Sequence, residues 1–472
     1  PSPTSWDEFD NDLNPKNWSF SRKLIATLLV TAISFTVQFA SAIDSAAAEK
    51  IQHDFGVSAV TESLATGLFL VGFAIGAPVA GPLSEIAGRN PIYIVNLVVF
   101  MLCTMGAGLA PNIGAQLALR FLAGMFGSAP LVCAGGTVAD LWTPRDQIHI
   151  FPIYATGGFL GLAVGPAVGG VIGESKLVGW RWVEWSTLIL SAVVLVMILL
   201  LQPETYAPVL LRWKASMLAE RWELKSERTA TNIEASQITT PPKARNIGRA
   251  IRNALLRPLQ LAFSEPIIVM ISLYLSVLYI VIFTFLPGYV FIFTDTYAFG
   301  PALRGVSFLG MGVGFLLALL LVIPVTVVSR NIMEKSGSLP PEARLYYAMC
   351  GAPTIPVSLL WMGWTVRTWI SPWSAIAASA LFGFGVLCVF FSSYQYIIHT
   401  YAQSAASGLV FITLARYLVA GGMIVVGIPM YGNLGVAWTL TILGCLAGLL
   451  VPIPFCLFWF GPTIRKWSKN GN

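Results

Sequence analysis

Three ionisable side chains stand deep inside apolar runs, where any charge needs a reason. Asp44 follows Phe39-Ala40-Ser41-Ala42-Ile43 and precedes Ser45-Ala46-Ala47-Ala48, so a helix can pass straight through it. A carboxylate there can hold a proton in one state and a cationic group in another. The alternative is a solvated charge at a helix end. Arg120 lies within Leu117–Gly127. A buried arginine cannot shed its proton, so it must be paired or reach water. It could tune a nearby acid, anchor an anionic group, or donate to backbone carbonyls. Arg416 reads as a ligand-binding cation or as a brace for a neighbouring helix. His399 titrates near pH 6.5 when unperturbed and reads as a proton sensor or an interfacial residue. Gln38, Tyr154, Tyr274, Tyr279, Phe283, Tyr394 and Gln395 could line a path between helices, or serve as packing and belt residues. A mostly apolar cavity with a few such groups suits amphipathic or aromatic molecules.

These residues must be positioned by membrane-spanning helices. A helical crossing needs about 20 apolar residues. Twelve such runs can be read, at roughly 24–47, 62–83, 91–110, 113–138, 148–173, 184–202, 266–294, 303–329, 344–365, 373–400, 405–431 and 436–460. The polar interval 203–263 separates the sixth from the seventh and holds ten Lys/Arg against five Glu. The expected organisation is an N-terminal segment (1–23), a six-helix bundle (24–202), a basic central loop (203–263), a second six-helix bundle (264–460) and a tail (461–472). With both termini in the cytosol, the short loops and tails carry 11 Lys/Arg inside and 5 outside, as positive-inside topology requires. The central loop reads as amphipathic pieces around Leu210–Glu227 and Ala250–Leu261, suited to the membrane surface.

Composition excludes most other classes. The 472 residues are 56% hydrophobic and 11% charged, whereas a soluble domain carries about 25% charged residues. Topology explains the net charge of +6, so nucleic acid is not an expected partner. There is no GxxxxGK[ST] phosphate loop, HExxH or GxSxG motif, and no carboxylate pair at general acid/base spacing, so neither ATP-driven transport nor an enzyme is expected. No repeated filter or charged ring suggests a channel. The six cysteines sit in apolar runs without ligand spacing and read as small core residues, with no metal site. The polar, acidic stretch Trp6–Asp10 argues against a cleavable signal peptide. What remains is a solute carrier driven by a gradient.

Three motifs sharpen this reading. Gly81-Pro82-Leu83-Ser84-Glu85-Ile86-Ala87-Gly88-Arg89 follows the second run, with glycines for a tight turn and Glu85 four residues before Arg89. Asp140 and Arg145 flank the same end of the fourth run and complete a charged gate. The loop resembles the signature G-x-L-(a)-(D/E)-x-x-G-R of the major facilitator superfamily. Arg120 with its following glycines resembles that family's second motif. Gly161-Leu162-Ala163-Val164-Gly165-Pro166-Ala167-Val168-Gly169-Gly170 in the fifth run is similar to the antiporter pattern G-x-x-x-G-P-x-x-G-G. Asn14–Ser19, Pro203-Glu204-Thr205, Asn433-Leu434-Gly435 and Val451–Phe455 extend the likeness over the whole chain, toward the twelve-helix drug:proton antiporters of fungi.

The fifth run also invites a physical reading. Gly157, Gly161, Gly165 and Gly169 recur every four residues and form one stripe along a helix. Such a stripe permits backbone-to-backbone approach, and Pro166 bends the helix. It reads either as ordinary helix packing or as a dry seam that prevents ion leak. With the resemblance, the expected partner is the eighth run, through Gly310 and Gly314.

The resemblance implies an all-α fold of two six-helix bundles that rock about a midplane cavity. It implies proton-coupled efflux of amphipathic or aromatic drugs, toxins or metabolites, without a cofactor and with the proton gradient as energy source. Asp44 and Arg120 are the coupling candidates. Gly81, Glu85, Gly88, Arg89, Asp140 and Arg145 form the inner gate, and Gly161, Gly165, Pro166, Gly169 and Gly170 the antiporter motif. The expected partners are a small molecule, protons and the lipid bilayer, and the expected state is a monomer. The plasma membrane is the expected location, with a vacuolar or vesicle membrane as the alternative. Rival readings are a proton-symport importer, an uncoupled facilitator, and a non-transporting receptor built on a carrier fold.

Overall fold

A computed structural model describes residues 14–143, 145–214, 260, 265–336, 340–401 and 405–467. Its first half contains α1 (Phe20–Ala42), α2 (Asp44–Phe55), α3 (Ala59–Ala87), α4 (Arg89–Gly108), α5 (Ile113–Leu141), α6 (Gln147–Glu174) and α7 (Trp182–Leu201). Its second half contains α8 (Pro266–Tyr289), α9 (Pro301–Ser307), α10 (Leu309–Ala318), α11 (Val322–Ser336), α12 (Tyr346–Gly351), α13 (Thr354–Thr365), α14 (Pro372–Thr400), α15 (Ala405–Leu450) and α16 (Pro452–Trp467). Most of the central interval, including most of the two amphipathic stretches expected there, lies outside the described residues.

Ten helices among the described residues are long and apolar enough to cross a membrane. The longest, Ser407–Arg465, contains two crossings that meet where Gly435 adopts φ 74°, a left-handed conformation that favours glycine. The ninth run is broken at Ala352-Pro353 into α12 and α13, each too short alone. The first run continues from α1 into α2 because Ile43 between them keeps helical angles (φ −63°, ψ −34°). The twelve runs therefore persist, the eleventh and twelfth joined end to end at Gly435 and the ninth divided at Ala352-Pro353. This is a multi-pass membrane protein. Leu199, Leu200, Leu320, Ile323 and Leu449 are exposed, as lipid-facing residues should be, and Trp369 and Trp373 stand exposed beside the start of α14.

Within the first half, α3 packs on α5, α6 on α1, and α4 on α5 and α7. Within the second half, α15 packs on α8 and α13, and α10 on α14. The halves meet along α3 with α15 and along α6 with α9 and α10. The glycine stripe of α6 lies against α1. A Cβ at Gly161 would stand 2.3 Å from the Phe35 carbonyl oxygen, at Gly165 2.7 Å from that of Phe39, and at Gly169 2.1 Å from that of Ile43. This corrects the expected partner. The eighth run does touch α6, but through Gly305, which meets the Pro166 carbonyl, and Gly312, which meets Ala163. Gly170 returns the contact against Pro301. Gly310 and Gly314 face Ile376 and Ala380 of α14 instead. Four-residue spacing gives a stripe; it does not say which neighbour lies under it. The cysteines also divide: Cys103, Cys133 and Cys388 are buried, whereas Cys350 and Cys445 are exposed.

Replacing Gly161 by Ala should lower the apparent melting temperature of the detergent-purified protein, since overpacking of this kind costs about 1–3 kcal/mol. Gly135→Ala, where an added Cβ meets nothing within 4 Å, should leave it unchanged. Equal melting of the two variants would contradict the α1–α6 contact.

Candidate functional site

Asp44 does not stand alone. At the α1–α2 junction its carboxylate pairs with Arg120 of α5, both side chains being almost fully buried. The same guanidinium nitrogen lies 2.8 Å from Glu184 of α7. Arg120 also donates to the Ala40 carbonyl at 2.9 Å and lies over the Phe69 ring at 6.0 Å. Glu62 in the first turn of α3 is buried and lies within electrostatic range of both Asp44 and Arg120. Two carboxyl groups thus share one guanidinium, with a third carboxyl close by, in a site shielded from solvent. Fully ionised, they would leave two negative charges in excess, so the cluster is charge-balanced only when it holds protons. The Asp44 carboxylate engages a protein cation rather than facing a cavity as a free anion. Glu184 and Glu62 are the members that sequence reasoning missed. Their signal was present: each opens an apolar helix in its first turn, beside a helix that carries a buried charge.

The turn between α3 and α4 forms a second cluster. Gly88 has φ 101°, and a Cβ there would lie 2.5 Å from the Glu204 carboxylate. Glu204 accepts from the backbone N–H groups of Arg89 (3.0 Å), Asn90 (3.1 Å), Thr205 (2.9 Å) and Tyr206 (2.8 Å). It caps the N-terminus of α4, where unsatisfied amides favour an anion. Arg89 donates from Nε to Asp140 at 3.1 Å and from its guanidinium to Ser84. It also lies over the Tyr206 ring at 4.9 Å. Tyr206 follows the last crossing of the first half, and burial pushes its phenol up. The expected gate is therefore corrected in its pairing. Arg89 meets Asp140 rather than Glu85, which is exposed. Arg145 is exposed and lines a recess with His149, Thr326 and Arg330, and no ion pair among the described residues joins it to Asp140. His149 and Thr326 hydrogen-bond across the two halves at 2.8 Å. Gly81 lies near Val132, with space for a side chain. Glu204 was legible only as the end of the sixth run.

The opposite face is tied differently. Arg304 of α9 pairs with Glu49 of α2 at 2.7 Å, so this ion pair bridges the halves. Glu174 at the end of α6 accepts from the Ala302 N–H at 2.9 Å. Lys50 donates to the carbonyls of Ile172 and Val178, each at 2.9 Å, and to that of Ser175.

Between the two faces lies an aromatic core around Arg416 of α15. Its guanidinium stands 4.4 Å from the Tyr279 ring centre, 5.0 Å from Tyr417, 5.2 Å from Phe390 and 5.3 Å from Tyr394. Phe283 packs 6.0 Å from Tyr279. The first half closes on this group from its side. Phe73 stacks on Tyr417 at 4.2 Å, Phe159 meets Phe390 at 4.8 Å, and Gln38 accepts from the Tyr417 hydroxyl at 3.4 Å. Tyr154 is buried and shares a hydrogen bond with Ser34 at 3.1 Å. Of the aromatic and amide candidates, Gln38, Tyr154, Tyr279, Phe283 and Tyr394 gather here. Gln395 does not: it accepts from Arg344 at 3.2 Å. His399 is half-buried in the last turn of α14, within range of Arg344 and Arg465. Tyr274 is buried on α8, and no ring or hydrogen-bond contact among the described residues joins it to Arg416. No cluster of three or more His, Cys, Asp or Glu suited to a metal ion occurs among the described residues.

Residues 27–426 match the profile of the Major Facilitator Superfamily. The chain is 46% identical over 466 residues to the MFS-type transporter kojT of Aspergillus oryzae, covering 98% of this chain and 81% of that protein. It is 32% identical to the Ascochitine biosynthesis cluster MFS transporter of Didymella fabae, covering 98% and 92%. Among solved structures, the proton:xylose symporter XylE superposes with a TM-score of 0.65 over 94% of this chain and 96% of that one, at 14% identity, which speaks for the fold alone.

The Arg89–Asp140 pair should behave as a unit. Arg89→Ala and Asp140→Ala should each destabilise the protein, and the double variant should lose less than the sum, with a coupling of about 0.5–3 kcal/mol in a thermal-unfolding double-mutant cycle. Glu204→Ala should cost about 1–3 kcal/mol, because it strands buried amide donors. Strict additivity in the cycle would mean that the pair carries no energy.

Proposed function

The chain belongs to the major facilitator superfamily of transporters, and on that premise we propose that it exports small aromatic or amphipathic molecules in exchange for protons. The observation that carries this reading is the buried cluster of Asp44, Glu62 and Glu184 around Arg120. A protonatable group that drives transport must be shielded from solvent and must change partners between states. The cluster meets the first requirement. It spans α1–α2, α3, α5 and α7, so any relative movement of these helices redistributes Arg120 among its acids. Protons entering from one side neutralise the acids, and Arg120 then leans on those still charged. Release to the other side restores the pairs. Asp44 and Arg120 act as the coupling pair, with Glu184 and Glu62 sharing the protons.

The two faces supply the gates. On one, Arg89, Asp140 and Glu204 lock the α3–α4 turn to α5 and to the chain beyond α7, and His149 hydrogen-bonds Thr326 across the halves. On the other, the Arg304–Glu49 and Glu174–Ala302 contacts hold the halves together. Opening one face requires its cross-half contacts to break while those of the other form, as alternating access demands. We place both termini in the cytosol, so the Arg89 face is the inner one, and we take the chain to work as a monomer in the plasma membrane without a cofactor. A relative named for a biosynthesis cluster supports a metabolite as cargo.

The test is pH-driven flux of aromatic compounds by the full chain in proteoliposomes, with and without a protonophore. Wild-type flux should collapse with the protonophore. Asp44→Asn and Glu184→Gln should each reduce gradient-driven flux about tenfold or more, the usual scale for a lost proton-transfer group, while substrate exchange at equal pH continues. Flux that persists without a gradient and survives both substitutions would point to a facilitator.

A further inference from the structure

We propose that the cargo is an aromatic weak acid carried as its anion, and that Arg416 is the residue that binds the acidic group. This deepens the exporter reading and rests on it. The first observation is that Arg416 is fully buried without a carboxylate among the described residues, and that its guanidinium nitrogens make no well-aligned hydrogen bond, the Tyr394 phenol being the one polar group that approaches them. Three other buried arginines are paired with carboxylates, Arg120 with Asp44 and Glu184, Arg89 with Asp140 and Arg304 with Glu49, while a fourth, Arg344, donates to the Gln395 amide oxygen. The second is a matter of sequence. No Asp or Glu follows Glu342 in the chain, and none lies between Pro266 and Thr294. The helices around Arg416 therefore have no acid to offer it. Ring faces attract a guanidinium but cannot accept its directed N–H bonds.

The surroundings fit the same ligand. The Gln38 Nε2 and the Tyr279 hydroxyl are likewise buried without a hydrogen-bond partner among the described residues. The Gln38 amide nitrogen and the Arg416 guanidinium can only donate, whereas the Tyr279 phenol can donate or accept, so no anionic acceptor faces these donors. A ligand with a carboxylate or an ionised hydroxyl supplies the missing acceptors. Its flat ring replaces the face-to-face contacts that Tyr279, Phe390, Tyr394 and Tyr417 now make with the guanidinium. A cationic ligand would meet a fixed positive charge that has no counter-ion. Position matters too. The cage belongs to α8, α14 and α15, but Phe73, Phe159 and Gln38 of the other half close it, so a ligand at Arg416 touches both halves. As the halves part, the rings separate and the guanidinium becomes accessible.

The experiment uses the purified full chain and three matched sets of probes: 4-hydroxyphenylacetate, its methyl ester and tyramine; indole-3-acetate, its methyl ester and tryptamine; 2-naphthoate, its methyl ester and 2-naphthylmethylamine. Binding is read as thermal stabilisation at pH 7, and flux in proteoliposomes is measured separately. The acids should bind at least tenfold more tightly than the amines of the same ring. Arg416→Gln should abolish that preference, while Arg416→Lys keeps part of it. Amines or esters binding as well as the acids in the wild-type protein, or no member of any set binding, would overturn the assignment without recourse to a variant. Acid binding that Arg416→Gln leaves unchanged in a monodisperse protein would overturn it as well. Acids that bind but are not moved by a pH gradient would leave the assignment standing and remove the exporter reading instead.

Discussion

A guanidinium held within the membrane must find partners inside the protein, because neither lipid nor the surrounding apolar side chains can solvate it. This chain meets that constraint in two opposite ways. In the first half Arg120 is given more acid than it needs. In the second half Arg416 is given ring faces and no acid. The first arrangement has a surplus of acceptors that protons can fill, and the second a surplus of donors that an anion can fill. Each half is incomplete in the sense required of a carrier: its buried charge is balanced only when something mobile is present.

The ends of the helices solve a milder problem. Arg89 and Glu204 are buried and the Asp140 side chain is 20% accessible, so this cluster is only partly in reach of water. Arg304 is buried, but its partner Glu49 is largely exposed, with 57% of its side chain accessible. An ion pair with one wet partner can open without stranding both charges in a dry site. The Arg304–Glu49 pair is thus cheaper to open than the dry cluster at Arg120.

Much of this was legible in the sequence. Apolar run length gave the crossings, and Asp44, Arg120 and Arg416 stood out because charge is rare in such runs. Pairings were less legible, for a physical reason. The glycine stripe of α6 announces a close approach, but Phe35, Phe39 and Ile43 of α1 show nothing in sequence that marks them as its floor. Glu85 and Arg89 have the spacing of a helical ion pair, yet the helix ends between them at Gly88, so Arg89 opens α4 and points to α5. Glu184 opens an apolar helix like many interfacial acids, and only the approach of α7 to α5 makes it a partner of Arg120. Composition sets what must be buried, whereas contacts between distant segments decide with whom.

The first helix is where the two incomplete sites meet. Gln38 accepts from Tyr417, the neighbour of Arg416 in the chain. Two residues further on, the Ala40 carbonyl accepts from Arg120, and Asp44 follows one turn later. A rigid helix therefore touches the aromatic cage and the acid cluster within about two turns. The glycines of α6 hold its far side at backbone contact from Phe35 to Ile43, so α1 cannot shift without carrying α6. And α6 bears Phe159 against the cage and Pro166 against Gly305 of the other half. A change at either buried charge is thus delivered to the same pair of helices, and that pair forms one wall of the contact between the halves. Close packing gives such a wall few intermediate positions. Coupling of two ligands through it needs no direct contact between Arg120 and Arg416, only that each favours a different placement of α1 and α6.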